Sequence, residues 1–333
     1  MAAQARAGVL AHYFDVLRDY DVDPTPLLRE AGLSRAMIAD PDGRIPLASA
    51  MLLLERSAEV SGCASLGLRM TERRQPADFG PVGLLLQHQA SLREGVSMLQ
   101  RYEHLLNESL AIHMAESDGI AVIREELVSG RPGVARQSTE LAVGVLFRMC
   151  SAVLGPDWRP LEVHFVHPEA EELQVHRRLF RCPIRFGAEF NGLVVALSDL
   201  DRPNARADEQ MARYARRYLD AIPAGRVSGV EQQVRNTLYI LLPAGRGGLE
   251  DVADRLGLNA RTLQRRLAAS GLNFGNILDD VRAELAERYL VNGAYPISQV
   301  ADLLGYSSPS AFTRWFGARF GQSPGVFRRK PSP

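Results

Sequence analysis

Lysine is all but missing from this chain of 333 residues: Lys330 is the only one, and arginine carries nearly all the positive charge. Net charge is missing too, because 39 basic residues balance 39 acidic ones, so global electrostatics select no particular partner. Cysteine is scarce. Cys63, Cys150 and Cys182 are odd in number, far apart and in no CxxC arrangement. That pattern argues against a disulfide or metal framework and for free thiols in a reducing compartment. No apolar run approaches the roughly 18 residues a membrane helix needs, and the first residues lack a signal-peptide layout. A cytoplasmic protein with no membrane partner is therefore expected. GxSxG, HExxH and phosphate-loop patterns are absent as well, so no catalytic residue, cofactor or metal is expected.

What is present suits two folded domains, with 46% hydrophobic and 23% charged residues. Charge is unevenly spread. From Ser228 onward there are 13 basic residues against 9 acidic ones, a balance of +4, which leaves −4 on the first 227 residues. A basic tail domain on an acidic body fits polyanion binding.

Hydrophobic periodicity predicts helices over residues 8–20, 27–31, 47–61, 91–107, 137–154, 171–180 and 204–221. Loops are expected at 21–26 and 40–46, and strands at 109–114, 119–127, 161–166, 184–186 and 192–197. The expected fold class is α+β with an antiparallel sheet for residues 1–222, followed by an all-α domain over 230–333. Residues 223–229, rich in proline, glycine and serine, read as the linker.

The last third repeats itself. Val252-Ala253-Asp254-Arg255-Leu256-Gly257-Leu258 returns 48 residues later as Val300-Ala301-Asp302-Leu303-Leu304-Gly305-Tyr306. Each copy reads as a short helix that ends in glycine and leads through a polar turn into a second helix, the outline of a helix-turn-helix. In the first, Asn259 can cap a helix over 260–270 that turns Leu263 and Leu267 inward. Arg261, Gln264 and Arg265 share the opposite face, and their groups can read guanine and adenine edges or grip phosphate. Arg266 points elsewhere and is expected to form an intramolecular ion pair.

The second copy has one extra residue in its turn. Ser307 or Ser308 caps a helix with Pro309 in its first turn. Phe312, Trp315, Phe316 and Arg319 share one face, the aromatic rings expected inside with the arginine stem along them. Ser310, Thr313, Arg314 and Gly317 take the other. Counting the inserted residue, Arg265 corresponds to Arg314, Gln264 to Thr313 and Arg261 to Ser310. The second helix has fewer long donors and should discriminate bases less strongly. A helix over 274–292 joins the two copies; at about 1.5 Å per residue it spans close to ~30 Å, near the ~34 Å between successive major grooves.

Residues 297–316, ISQVADLLGYSSPSAFTRWF, followed by Phe320-Gly321-Gln322-Ser323-Pro324 and Arg328, resemble the signature of AraC/XylS-type bacterial transcription regulators over about residues 230–330. The resemblance implies two helix-turn-helix subdomains joined by a linker helix. It carries base or phosphate contacts to Arg261, Gln264, Arg265, Ser310 and Arg314. Pro309 stands where some relatives place a polar reader, which puts one base contact in doubt. Residues 40–46 (DPDGRIP), 66–68, 79–83, 163–168 and 180–188 resemble the arabinose-binding-type regulatory domain of an AraC subgroup that includes regulators of ornithine use. That likeness implies a small-molecule sensor or dimerisation domain. The partners it suggests are double-stranded promoter DNA, RNA polymerase, an unidentified effector and a second copy of the chain.

His164 and His167, three apart on or beside a strand, should face opposite ways and hold no metal, one half-buried and the other in a turn. Tyr102, Glu103 and His104 diverge around a helix, and the glycines of 79–83 should form a turn. Three functions stay open: a ligand-responsive regulator, a constitutive dimeric DNA-binding protein, and a repair alkyltransferase fused to a DNA-binding module. The last needs an activated thiol, and Cys182 has no histidine next to it.

Overall fold

The computed structural model describes residues 3–128, 135–222, 229–293 and 295–328. They fall into two compact units, one ending at residue 222 and one beginning at 229. All but Gly229 of the expected linker lies outside the described residues.

The first unit opens with a helical head. Strands β1 (Gln4–Arg6) and β2 (Arg44–Pro46) pair antiparallel, with Gln4 opposite Pro46, so the expected loop at 40–46 ends in a strand. Three-residue strands show no alternation to read. The single helix expected over 8–20 is a 3-10 turn at Ala7–Leu10 and a helix at Tyr13–Asp19, broken at His12, whose φ is +67°. The His12 imidazole lies 3.0 Å from Asp78 and 3.3 Å from Asp15, contacts that hold the break. Helix Leu47–Ser61 has the expected bounds. At 79–83 only Gly80, with φ +60°, turns the chain; Gly83 sits inside helix Gly80–Gln87.

The sheet comprises β3 (Leu110–Ser117), β4 (Ile120–Leu127), β5 (Glu162–His164), β6 (Ile184–Arg185) and β7 (Gly192–Ala196), in the order β3-β4-β7-β5-β6. Asp118 and Gly119, both at positive φ, close the β3–β4 hairpin as a two-residue turn favours. The sheet is mixed rather than antiparallel throughout, because β5 and β6 run parallel, Val163 opposite Ile184. Helix Gln174–Phe180 lies between them and carries the chain back to start β6 in the same direction. Helix Arg136–Leu154 serves two cores. It gives Leu141 to the head, beside Tyr13, Leu17, Leu53 and Leu66, and Leu146, Phe147 and Met149 to the sheet, beside Ile123, Phe165 and Leu193.

The helix expected from 204 starts at Glu209. Asn204 instead anchors the preceding loop, donating to the Gln87 and Gln89 carbonyls at 2.8 Å. His164 is half-buried, 2.8 Å from Glu162. His167 lies in the bend that follows β5 and is buried there: at 2% exposure it lies 3.6 Å from buried Glu140, which also meets buried His176 at 3.1 Å. Tyr102 donates to Asp220 and Glu103 accepts from the Ile112 N–H, separate structural contacts. Among the described residues no helix is long and apolar enough to cross a membrane.

The second unit is helical: Val230–Leu241, a 3-10 turn at Leu242–Ala244, then Leu249–Arg255, Ala260–Ala269, Phe274–Asn292, Ile297–Leu303, Pro309–Phe320 and Pro324–Arg328.

Candidate nucleic-acid interface

Both repeats end their first helix by the same device. Gly257 has φ +66° and Gly305 φ +71°, a region that favours glycine. In the first, the Gly257 N–H donates to the Asp254 carbonyl and the Leu258 N–H to Ala253, at 3.0 and 2.9 Å. In the second, Gly305 donates to Asp302 and Tyr306 to Ala301, both at 3.0 Å. This pair of bonds is the Schellman motif, which satisfies the last carbonyls and turns the chain sharply. The following helices are capped alike. Asn259 Oδ1 accepts from the Thr262 N–H at 2.8 Å, and Ser308, rather than Ser307, accepts from the Ala311 N–H at 3.2 Å.

Capping fixes which side chains face out. In Ala260–Ala269, Leu263 and Leu267 are buried while Arg261, Gln264 and Arg265 are exposed together. In Pro309–Phe320, Phe312 and Phe316 are buried while Ser310, Thr313 and Arg314 are exposed. Arg265 and Arg314 each stand six residues beyond their cap. The Thr313 hydroxyl donates to the Pro309 carbonyl at 2.9 Å, leaving its oxygen to accept.

Three expectations are corrected. Trp315 is only half-buried, tilted against Tyr306 with ring centroids 5.4 Å apart. The Arg319 guanidinium, for which no partner was expected, pairs with Asp280 at 2.6 Å. The ion pair expected of Arg266 is not seen either: it is exposed and, like Arg261, Arg265 and Arg314, has no ion-pair partner among the described residues. These solvated guanidiniums, with no acid competing for them, suit phosphate contact.

The linker helix positions the second repeat through residues the sequence pattern did not single out. Arg282 Nε donates to the Leu304 carbonyl at 3.0 Å, and the guanidinium lies 4.6 Å from the Tyr306 ring centroid. Arg282 thus holds the helix end just before the turn. Toward the other flank, Glu284 accepts from both Arg235 and Tyr239 of helix Val230–Leu241. Burial and that carboxylate keep the Tyr239 phenol well above its usual range. A charged residue beside the buried positions Val281 and Leu285 was the available signal.

Comparison with known proteins follows the same division. The family model "Arabinose-binding domain of AraC transcription regulator, N-term" matches residues 22–204, and "Helix-turn-helix domain" matches residues 252–330. The chain is 30% identical over 325 residues to the HTH-type transcriptional regulator VirS of Mycobacterium tuberculosis, covering 97% of this chain and 96% of that one. It is 25% identical over 321 residues to the ornithine utilization regulator of Pseudomonas aeruginosa, covering 95% and 94%. The crystal structure of transcriptional regulator CdpR from Pseudomonas aeruginosa shares 21% identity, covers 92% of this chain and 96% of that one, and superposes with a TM-score of 0.43.

Proposed function

The chain belongs to the AraC family of helix-turn-helix, DNA-binding transcription regulators, and on that footing we propose which residues read DNA and how reading is controlled. Arg261, Gln264 and Arg265 enter one major groove, and Ser310, Thr313 and Arg314 enter the next on the same side of the duplex. The observation that carries this reading is the matched placement of Arg265 and Arg314, exposed, unpaired and six residues past an N-cap in both repeats. The first helix contributes most base discrimination, since it holds three long donors. The first unit binds a small-molecule effector, supported by its match to a regulatory domain model, and shifts the population between DNA-competent and incompetent arrangements. Acting in the cytoplasm, the bound protein recruits RNA polymerase to activate transcription.

A second reading, constitutive dimerisation without an effector, draws on helix Glu209–Ala221. It exposes Met211, Tyr214 and Tyr218 at i, i+3 and i+7, on one face. An alkyltransferase is disfavoured, because burial pushes the Cys182 thiol up to about 11 against the opposing influence of Arg159, the reverse of activation.

The test is helical phasing. Sites bound by the full chain are mapped, and about half a helical turn, roughly 5 base pairs, is inserted between the two contacted elements. Affinity should fall to that of a single element. Unchanged affinity would remove the two-groove arrangement.

A further inference from the structure

Within the first unit, at the seam between the helical head and the sheet core, lies a cavity of about 90 Å³. Most of its wall is hydrocarbon, including Leu54, Phe79, Leu110, Leu141, Val145 and Met149. Four polar side chains in that wall are nearly enclosed: Arg74 at 3% exposure, Glu125 and Ser138 at 5% and Asn107 at 6%. The first three each retain an atom with no hydrogen-bond partner among the described residues, namely Arg74 Nε, Glu125 Oε2 and Ser138 Oγ.

Arg74 is the unusual member. Its Nη2 donates to the Val9 carbonyl, and no carboxylate pairs with it among the described residues. Asp78, the acid that acts on it, is taken up by His12 at 3.0 Å and the Gln75 N–H at 2.7 Å. Burial pulls the guanidinium down only to about 10, so it stays charged at neutral pH. Glu125, pushed up to about 8 by burial and by Glu126, is neutral there and supplies no counter-charge. Arg74 thus feels Asp78 only at a distance and makes no direct ion pair among the described residues, a costly arrangement in an interior that an anionic ligand against the guanidinium would relieve.

Building on the effector reading above, we propose that this cavity binds a short-chain monocarboxylate, its head against Arg74 and its tail among Leu54, Phe79, Val145 and Met149. Glu125 and Ser138 are wall groups with an open valence for the head; Arg6, Asp78 and Asn107, also in the wall, are engaged with Asp42, His12 and the Ser109 N–H. A sugar is a poor occupant, since each buried hydroxyl needs a partner and the wall offers few. An engineered cavity of roughly 150 Å³ holds the six carbons of benzene, so about 90 Å³ suits on the order of four heavy atoms, the size of acetate or propionate.

The test uses the full chain, with melting temperature and calorimetry as binding readouts and propionate, 1-propanol and arabinose as probes. Propionate should raise the melting temperature saturably by mass action. Propanol, with the same tail and no charge, should bind at least ~10-fold more weakly, about the difference expected for a lost charged hydrogen bond. Arabinose should leave the melting temperature unmoved. Arg74→Met should abolish the propionate shift. So should Val145→Phe, which fills the cavity, keeps Arg74 and carries the test if the first variant fails to fold. No propionate shift, equal shifts from propionate and propanol, or parent-like propionate binding by Val145→Phe would overturn the proposal. An arabinose shift lost in Val145→Phe would do so too. DNA affinity measured with and without propionate separates the two readings. Specific propionate binding that leaves DNA affinity unchanged supports this site and removes propionate as effector, whereas a different metabolite that alters DNA affinity without propionate binding overturns only the site.

Discussion

In the first unit the Arg74 guanidinium and the Glu125 carboxyl are buried, each with an atom unpartnered among the described residues; in the second, Arg261, Arg265, Arg266 and Arg314 stand in solvent with no ion-pair partner among the described residues. The two placements suit different partners. A surface guanidinium keeps its hydration until it meets phosphate, and its contribution weakens as salt rises. A buried one has lost its hydration on folding, so a small anion entering the cavity meets a prepared site, screened far less by salt. The exposed row depends on what lies beneath it. Leu263 and Leu267 support the first row, whereas the second rests on the rings of Phe312, Phe316, Phe320 and Phe327.

The heaviest test of this contrast is Phe316→Ala. Phe316 is fully buried and stacks on Phe320 with centroids 4.2 Å apart, so removing the ring should cost about 3–5 kcal/mol. Denaturant unfolding should show the loss, with the second repeat melting first. Trp315→Ala should cost clearly less, because that ring is half-exposed. Equal losses would place the second core elsewhere.

Next comes Glu125→Gln, which probes buried charge in the first unit. Burial holds this carboxyl at about 8 against an ordinary value of 4.5, so between those limits the folded chain keeps a proton the unfolded chain has released. Native stability contributed by Glu125 is therefore full below 4.5 and falls as pH rises toward 8. Glutamine removes that loss. The variant should melt higher than the parent at pH 8, by an amount on the order of 2 kcal/mol, with the gap closing toward pH 5. A gap independent of pH would show that Glu125 does not titrate in this window.

On the surface, Arg265→Ala should weaken binding to the cognate site by about 1–3 kcal/mol while leaving the melting temperature in place. If the contact is to phosphate, the slope of affinity against salt should fall by about 1; if to a base, discrimination at one position should relax. Unchanged affinity in a salt-controlled titration takes Arg265 off the contact surface. Arg314→Ala is the matched control for the second row.

Legibility in the sequence followed the length and period of the elements. Helices Leu47–Ser61 and Phe274–Asn292 have the expected bounds, and Ala260–Ala269 ends one residue early. Their apolar residues recur over several turns, and the repeated glycines and caps mark the ends. What was hidden depended on contacts between distant residues. The β1–β2 pairing joins segments about 40 residues apart with three residues each. His12 leaves the helical region through contacts that include Asp78, 66 residues away, and His167, after β5, is buried against Glu140 of helix Arg136–Leu154. At the candidate interface, the outward faces were legible because capping and buried leucines or phenylalanines set them. The fate of Trp315, Arg266 and Arg319 was not, because a residue beside a boundary face can turn either way, and Asp280 on the linker helix decides Arg319.

The smallest expected effect concerns the caps themselves. Asn259 accepts from Thr262 at 2.8 Å and Ser308 from Ala311 at 3.2 Å, so each holds the first turn of its reading helix. Replacing either by alanine should cost about 1 kcal/mol of stability. The consequence for DNA should differ between them. Fraying at Asn259 loosens Arg261, two residues on, together with Gln264 and Arg265, all long donors whose placement relative to bases matters. Pro309 keeps the backbone of the second helix start restricted even without Ser308, and Ser310 offers only a short hydroxyl. Asn259→Ala should therefore weaken DNA binding more than Ser308→Ala at matched stability loss, measured by anisotropy titration well below both melting temperatures. Equal losses, or a larger one from Ser308→Ala, would mean that the second helix carries as much of the recognition as the first.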